Sequence, residues 1–497
     1  MARQEYLTSP PKITTMPPGV PYIVGNEAAE RFSYYGMNSI LTIFMTKYLL
    51  DKMGHLSVMQ PANAEAWYHT FVSTLYFLPI FGAILADAVF GKFKVVFWIS
   101  IVYCLGHLTL ALMGSPVAHA IEPRYLLAIG LVLIAIGAGG IKPCVSTNVG
   151  DQFGESNKHL LTRVFNWFYF SINAGSAFST LLIPWLLEPG SIWDWLRNLL
   201  PVSVADFLVS PRLHSPDVAF GLPGIFMAVA TVIFWLGRKK FVHIPPVGLR
   251  TYAREIFNRE TGKTILNVLM PVPFVAIFWA LWQQNFSSWI LQAESMDRHL
   301  FGTEWLSSQI QTVNPIFILI MLPLFSYWLY PAVEKVVRLT PLRKIGAGLF
   351  VTAASFFLVA MIQTRIDAGA RPGIIWQIWA FVILTAGETL VSPTHLEFSY
   401  TQGPVKLKSL VMCTYLFAVS LGNVFTAAVN FLIQNPDGTV KLQGTSYFMF
   451  FVWVMLGTAV LFAVVTPFYK GRTYLQDQAE APSAAEPAVG FVVQPEA

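Results

Sequence analysis

The sequence predicts an all-α polytopic membrane protein, with twelve transmembrane helices arranged as two six-helix halves. Three observations predict it. Of the 497 residues, 55% are hydrophobic and only 12% are Asp, Glu, Lys or Arg, against about 25% charged residues in an ordinary soluble domain. Apolar runs of about 20 residues, long enough to cross a hydrocarbon core, recur between polar or Pro/Gly-rich breaks. The largest basic cluster, Arg238-Lys239-Lys240 through Lys263, lies between the sixth and seventh runs and divides the chain into two six-span halves. Such a chain cannot cover a water-facing surface with polar groups, which excludes a soluble enzyme, a disordered protein and a disulfide scaffold. Cys104, Cys144 and Cys413 sit in apolar runs and read as small core residues.

The spans are predicted near 26–49, 67–90, 95–113, 124–146, 165–187, 219–237, 265–291, 311–330, 345–364, 374–399, 409–433 and 446–469. Before the first, residues 1–25 form a tail; its first 20 residues hold four prolines and no apolar core, so no cleavable signal peptide is expected. The second and third are joined by Gly82-x4-Asp87-x3-Gly91-Lys92-x-Lys94. Between the fifth and sixth, the stretch 186–215 with Trp193 and Trp195 leaves room for an extra surface helix. The domains follow: a first bundle over 26–237, a basic linker over 238–264, a second bundle over 265–470, and a tail over 471–497. The tail is rich in Ala, Pro and Glu and is expected to be disordered. With the N-terminus in the cytoplasm, 21 of the 32 Lys and Arg fall on the cytoplasmic side and nine outside. The positive-inside rule therefore puts both termini inside. The 6 + 6 layout with a basic linker resembles the major facilitator superfamily, whose substrates bind between the halves near the midplane. The Gly82–Lys94 stretch resembles that superfamily's loop motif, in which an acid and basic residues at helix ends latch the cytoplasmic side.

An ionisable residue at the bilayer centre costs about 2.5–3.5 kcal/mol on insertion scales, so each one needs a reason. The first span reads Glu27-Ala28-Ala29-Glu30-Arg31-Phe32-Ser33-Tyr34-Tyr35-Gly36-Met37-Asn38. At 100° per residue, Glu27, Glu30, Arg31, Tyr34, Tyr35 and Asn38 fall on one stripe about 140° wide, which must face a bundle interior or a water-filled cavity. Lys142 follows Gly137-Ala138-Gly139-Gly140-Ile141 and precedes Pro143, deep in the fourth span. Unpaired it would be costly, so Glu27 or Glu30 is expected to neutralise it, with snorkelling to the cytoplasmic edge as the alternative. Glu388 and Glu397, nine residues apart on the tenth span with Pro393 between them, point to opposite faces of a straight helix, so only one is expected to face a central cavity. His69 starts the second span with Tyr76 on the same face, and is a candidate proton acceptor. Asn173 and Asn314 offer donors and acceptors, while Trp279 and Trp282 could line a pocket or simply pack.

Catalytic motifs are missing from the sequence. It has no His-Glu-x-x-His, Cys-x-x-Cys, Gly-x-Ser-x-Gly or nucleotide-binding glycine loop. The expectation is a non-enzyme without a metal or cofactor, whose buried charges bind a zwitterion and a proton.

Two signatures carry a closer resemblance. Glu27-x-x-Glu30-Arg31-Phe32-x-Tyr34-Tyr35-Gly36 resembles the first-helix signature of the proton-coupled oligopeptide transporter family. Phe398-Ser399-Tyr400-Thr401-Gln402-Gly403-Pro404, directly after Glu397, resembles its tenth-span signature, with Gly403 where Ala is usual. Lys142-Pro143, Phe278-Trp279-Ala280 and Gln311-x-x-Asn314-Pro315 are similar as well, and the likeness runs over nearly all of 22–470. The resemblance implies symport of di- and tripeptides with protons by alternating access. Arg31 and Lys142 would hold the peptide carboxylate and Glu397 its amino group. Asn173 and Asn314 would bond its backbone, and Tyr34, Tyr35, Asn38, Tyr76 and Trp279 would complete the binding site. Glu27, Glu30, Arg31 and His69 would couple the proton.

There are departures. Many bacterial members carry a basic residue where Asn38 stands and an acid where Gln283 stands, so the external gate must be built differently and coupling is expected to lean on His69. The linker is too short for the two extra helices of bacterial relatives, and the 365–373 loop too short for the external domain of animal ones. The partners implied are small peptides, protons and the bilayer, with no nucleic acid, and the chain is expected to work as a monomer in a bacterial inner membrane. The competing readings are another substrate on the same fold, such as nitrate or a drug-like carboxylate, and a membrane enzyme or non-transporting receptor.

Overall fold

The computed structural model describes residues 6–188, 213–256, 268–402, 408–437 and 439–469, with a few isolated positions between them. The expected surface helix around Trp193 and Trp195 and the expected disordered tail lie outside the described residues.

The first half contains α1 (Val20–Ile43), α2 (Pro61–Phe77), α3 (Lys92–Ala111), α4 (Pro123–Asp151), α5 (Leu161–Leu187) and α6 (Pro216–Gly237). The second contains α7 (Val272–Trp282), α8 (Val313–Leu324), α9 (Pro341–Asp367), α10 (Ile375–Gln402), α11 (Lys408–Leu432) and α12 (Thr445–Val465). Proline opens α2, α4, α6 and α9 at positions where the missing N–H is an orphan anyway. At α9 the Thr340 hydroxyl also accepts the Arg343 N–H. Ten helical segments among the described residues are long and apolar enough to cross a membrane. The first span falls short because its polar stripe lowers its hydropathy. The seventh is broken: α7 passes through one 3-10 turn, Gln283–Phe286, into a short helix, Ser288–Glu294.

Packing repeats between the halves. In the first, α3 packs on α4 and α6, and α1 on α5; in the second, α9 packs on α10 and α12, and α7 on α11. Shifting every number by six maps one set onto the other, the signature of an internal repeat. Small residues allow these close approaches. A Cβ on Gly422 of α11 would stand 2.2 Å from the Ala276 carbonyl oxygen of α7, and one on Gly175 of α5 would stand 2.6 Å from that of Ala28 on α1. Large apolar side chains such as Trp98, Phe178, Trp379 and Trp453 stand exposed on the helices, as lipid-facing positions do. The three cysteines are free.

The halves meet through α2 on α11 and α5 on α8. The loops sort to two ends. His119 and Arg124 bond backbone carbonyls of the 49–60 loop at one end, and Val247 and His243 bond those of Asp87 and Leu7 at the other. At the first end Asp51 accepts the N–H groups of His55 and Met53, which hold its carboxyl below the usual carboxylate range. At the opposite end Gly91, with φ +81°, turns the chain into α3, and Lys92 pairs with Asp151 at 2.6 Å. Both partners belong to the first half, so this ion pair does not latch the halves together.

Candidate functional site: a charged cavity between the halves

A cavity of about 650 Å³ lies between the halves, within the size range of small-molecule sites. The first half contributes Glu27, Arg31, Tyr35, Tyr76, Lys142 and Asn173 to its wall; the second contributes Trp279, Trp282, Asn314, Glu388 and Tyr415.

The α1 stripe explains the first wall. Arg31 Nε lies 2.7 Å from Glu27 Oε1 and 3.0 Å from Glu30 Oε2, so two acids of its own helix clamp one cation. Glu27 and Arg31 reach the cavity, whereas Glu30 is buried behind them. Lys142 corrects an expectation. Neither acid lies within ion-pair distance; its ammonium rests over the rings of Tyr34, 4.6 Å from the centroid, and Tyr76, at 5.0 Å. Cation–π contact replaces the expected ion pair because both carboxylates are committed to Arg31. Lys142 does not snorkel away but lines the cavity. Tyr34, 2% exposed, supports the lysine from behind the wall and does not line it.

The second wall corrects a larger one. Glu388, not Glu397, is the α10 acid on the cavity. Its Oε2 accepts hydrogen bonds from Asn314 Nδ2 at 2.7 Å and Trp282 Nε1 at 2.8 Å. Asn314 also bonds Thr385, which fixes the amide toward the acid. Glu397 is exposed and lies outside the cavity wall. The signal was available in the sequence: Glu388 sits at the middle of α10 and Glu397 near its end, so depth distinguishes the two where helical angle does not. Trp279 stands edge-on to Trp282 and Tyr415, with centroids 5.2 and 5.7 Å away, and its buried indole N–H has no partner among the described residues. Asn173 faces the cavity while its amide nitrogen bonds the Tyr169 carbonyl.

Asn38 and His69 lie elsewhere. They belong to a second region, on the side of the cavity toward the 49–60 loop, where hydrogen bonds join the halves. Asn38 donates to the Tyr68 hydroxyl at 3.2 Å, which reaches Gln283 Oε1 at 3.5 Å. Asn38 and Gln283, the two departures noted in the sequence, are therefore two ends of one bridge. Asn38 does not line the cavity because it lies two turns beyond Arg31 and is consumed by this bridge. His69 is fully buried, with Nδ1 2.7 Å from Asn423 Oδ1 and Nε2 3.0 Å from Ser287 Oγ. Since Asn423 Nδ2 donates to the Val419 carbonyl, its oxygen faces the ring and Nδ1 must carry the proton. Thr42 bonds the Phe286 carbonyl, Thr180 bonds Thr312, and Lys47 pairs with Glu294 across the same region. The cavity wall continues the other way through Ser146, Phe165, Leu396 and Cys413.

A cavity with paired buried charges between two repeated halves is a transporter's arrangement, and known proteins bear on which one. The sequence profile described as PTR2, the POT family, matches residues 93–258 and 249–449. The chain belongs to the POT family. Among similar proteins, Peptide transporter 3 of Caenorhabditis elegans is 33% identical over 389 residues, covering 72% of this chain and 52% of that protein. Solute carrier family 15 member 2 of Homo sapiens is 33% identical over 401 residues, covering 72% and 50%. The chain thus spans about half the length of these animal relatives. The crystal structure of the POT family transporter PepTSo matches with a TM-score of 0.77 and 32% identity, covering 92% of this chain and 99% of that one. The fold is therefore that of POT family transporters of the major facilitator superfamily.

Proposed function

We propose that this POT family chain imports di- and tripeptides together with protons, by alternating access of one central cavity to the two sides of the membrane. One observation carries the reading: Arg31 and Lys142 stand on the wall of one half and Glu388 on the wall of the other. A peptide is a zwitterion of nearly fixed length, and cations facing an acid across a cavity measure that length. Arg31 and Lys142 bind the carboxylate and Glu388 the amino group, the role first expected of Glu397. Asn173 and Asn314 bond the peptide backbone, while Tyr35, Tyr76 and Trp279 shape the side-chain space. The peptide transporters among its relatives support this substrate class.

A proton reaching Glu27 or Glu30 loosens the two-acid clamp and frees Arg31 for the peptide carboxylate. Removing either component lets the clamp re-form, which ties peptide movement to proton movement. A neutral zwitterion with one proton carries one charge, worth about 2.3 kcal/mol per 100 mV, or roughly 40-fold accumulation. The proton is the coupling ion; no other cofactor and no bond chemistry enter. Both termini lie in the cytoplasm, the closed end faces out, and one chain working alone suits the compact loops of a bacterial inner-membrane protein.

Uptake of a labelled dipeptide by proteoliposomes, with and without an inward proton gradient, tests the reading. Gradient-dependent accumulation competed by other dipeptides is the expected result. Uptake that ignores the gradient, or that nitrate or a simple carboxylate competes equally well, overturns it.

A further inference from the structure

Beyond the charged cavity, one buried acid has no part in the mechanism above. Glu65 lies on α2 one turn before His69 and is 7% exposed. Among the described residues no Lys, Arg or His forms an ion pair with it. The hydrogen bond it accepts comes from a neutral group of the other half, Tyr447 of α12, which Ser288 of the short helix after α7 and Asn430 of α11 bond in turn. On its own helix, His69 has both ring nitrogens engaged by Asn423 and Ser287. The rim cations Lys47 and Arg298 are taken by Glu294.

The hydrogens in this cluster can be placed. The Tyr447 hydroxyl receives the Asn430 amide at 3.1 Å and lies 3.4 Å from Ser288 Oγ, so its single proton goes to Glu65 Oε2, 3.1 Å away. A protonated Glu65 accepts the Tyr447 hydrogen bond and leaves no formal charge buried. An ionised Glu65 leaves a carboxylate buried without a cation among the described residues, which is far costlier than a buried neutral group. When α2 parts from α11 and α12, the same side chain meets water and that cost vanishes.

We propose that Glu65 is a proton-binding site of the outer gate, taking a proton from the outside as the gate closes and returning it as the gate opens. Acid outside therefore favours the closed gate. This site is separate from the Glu27–Arg31–Glu30 clamp; it rests on the alternating-access reading but not on the identity of the substrate.

The test uses the full chain in lipid nanodiscs without peptide, its three cysteines replaced by serine and spin labels placed at Met53→Cys and Lys441→Cys. These sites lie on outer loops of opposite halves, so their separation, measured by pulsed electron paramagnetic resonance over about pH 5–8, reports the gate. In the parent protein the short-distance population should grow as pH falls. Glu65→Gln, whose amide stays neutral, should hold the gate closed across the range and flatten the response. A Glu65→Gln profile that overlays the parent overturns the proposal. Tyr447→Phe guards against a misfolded Gln variant: it removes a donor that favours the carboxylate in the closed gate, and should raise the midpoint by about one pH unit. An unmoved midpoint also overturns the proposal. If the parent fails to accumulate dipeptide yet its gate titrates through Glu65, the substrate reading fails and this one stands.

Discussion

The interface between the halves is built in two chemically opposite ways along the same helices. At the cavity, α1 presents Glu27 and Arg31, and Lys142 and Glu388 complete a set of formal charges around open space. Two turns outward, α1 and α2 present Asn38, Tyr68 and His69, which meet Gln283, Ser287 and Asn423 through hydrogen bonds between groups without formal charge. In the cavity no ion pair joins the halves among the described residues: Arg31 pairs with Glu27 and Glu30 of its own helix and Glu388 is held by Asn314 and Trp282, so the halves can part without separating a buried ion pair. In the region proposed as the gate, the hydrogen bonds run between halves and are neutral, so each one exchanged for water on opening would change little, at about 0.5–1.5 kcal/mol net. The contrast teaches where each kind of substitution should act: cavity changes on binding and coupling, gate changes on the balance between closed and open.

The largest effects should come from the cavity. Arg31→Ala removes the cation between two buried acids and leaves them uncompensated, a loss of about 3–5 kcal/mol for a buried pair. Dipeptide uptake should fall on the order of a thousandfold while folding, followed by thermal melting in detergent, also weakens. Glu27→Gln or Glu30→Gln keeps the shape and should abolish proton-driven accumulation while leaving exchange of internal for external peptide. Persisting acid-stimulated accumulation would remove the coupling role from α1. Glu388→Gln should raise the KM for free dipeptides about a hundredfold, and that for N-blocked analogues much less. Glu397→Gln should shift both less than threefold, being exposed. Equal losses for free and blocked peptides would sink the amino-group assignment.

How much of this could be read from the sequence depends on what kind of information each residue carries. Amphipathic periodicity put Glu27, Arg31 and Tyr35 on one stripe, because every term in that inference is local to one helix. Lys142 could be flagged as costly but not given a partner, since whether Glu27 and Glu30 reach it depends on α1 and α4 meeting. The tenth span failed at the choice between Glu388 and Glu397, where a 180° separation says only that one faces inward. Asn38 reads as a cavity residue because its helical angle is close to that of Arg31, but angle carries no depth. Glu65 sits at the end of an apolar helix, where an acid looks like a solvated helix start; only the arrival of α12 buries it.

At the gate the effects should be moderate. His69 receives no proton at Nε2 in the arrangement seen here, since Nδ1 already carries one. Protonating Nε2 would turn the Ser287 bond around but leave a fully buried cation among neutral partners, so the closed arrangement favours neutral His69. His69→Gln keeps one bond of two and should slow acid-stimulated uptake about tenfold without changing peptide affinity in equilibrium binding. A loss of affinity instead would move His69 from the gate into the binding site.

The smallest effect should come from the rim and bridge. Tyr68→Phe cuts the Asn38–Gln283 link, but its outer bond is 3.5 Å long and therefore weak. Gln283 Oε1 loses only that contact, while Asn38 Nδ2 loses its 3.2 Å acceptor in a site where Asn38 Oδ1 already has none. About 1 kcal/mol should be lost from the closed gate, a shift of about fivefold toward the open form. The same pulsed distance measurement reads it. Lys47→Ala, removing the partly exposed ion pair with Glu294, should do less still, and its effect should vanish in high salt because exposed pairs are screened. If Lys47→Ala opens the gate more than Tyr68→Phe at physiological ionic strength, the outer closure is electrostatic after all, and the neutral character assigned to the gate is wrong.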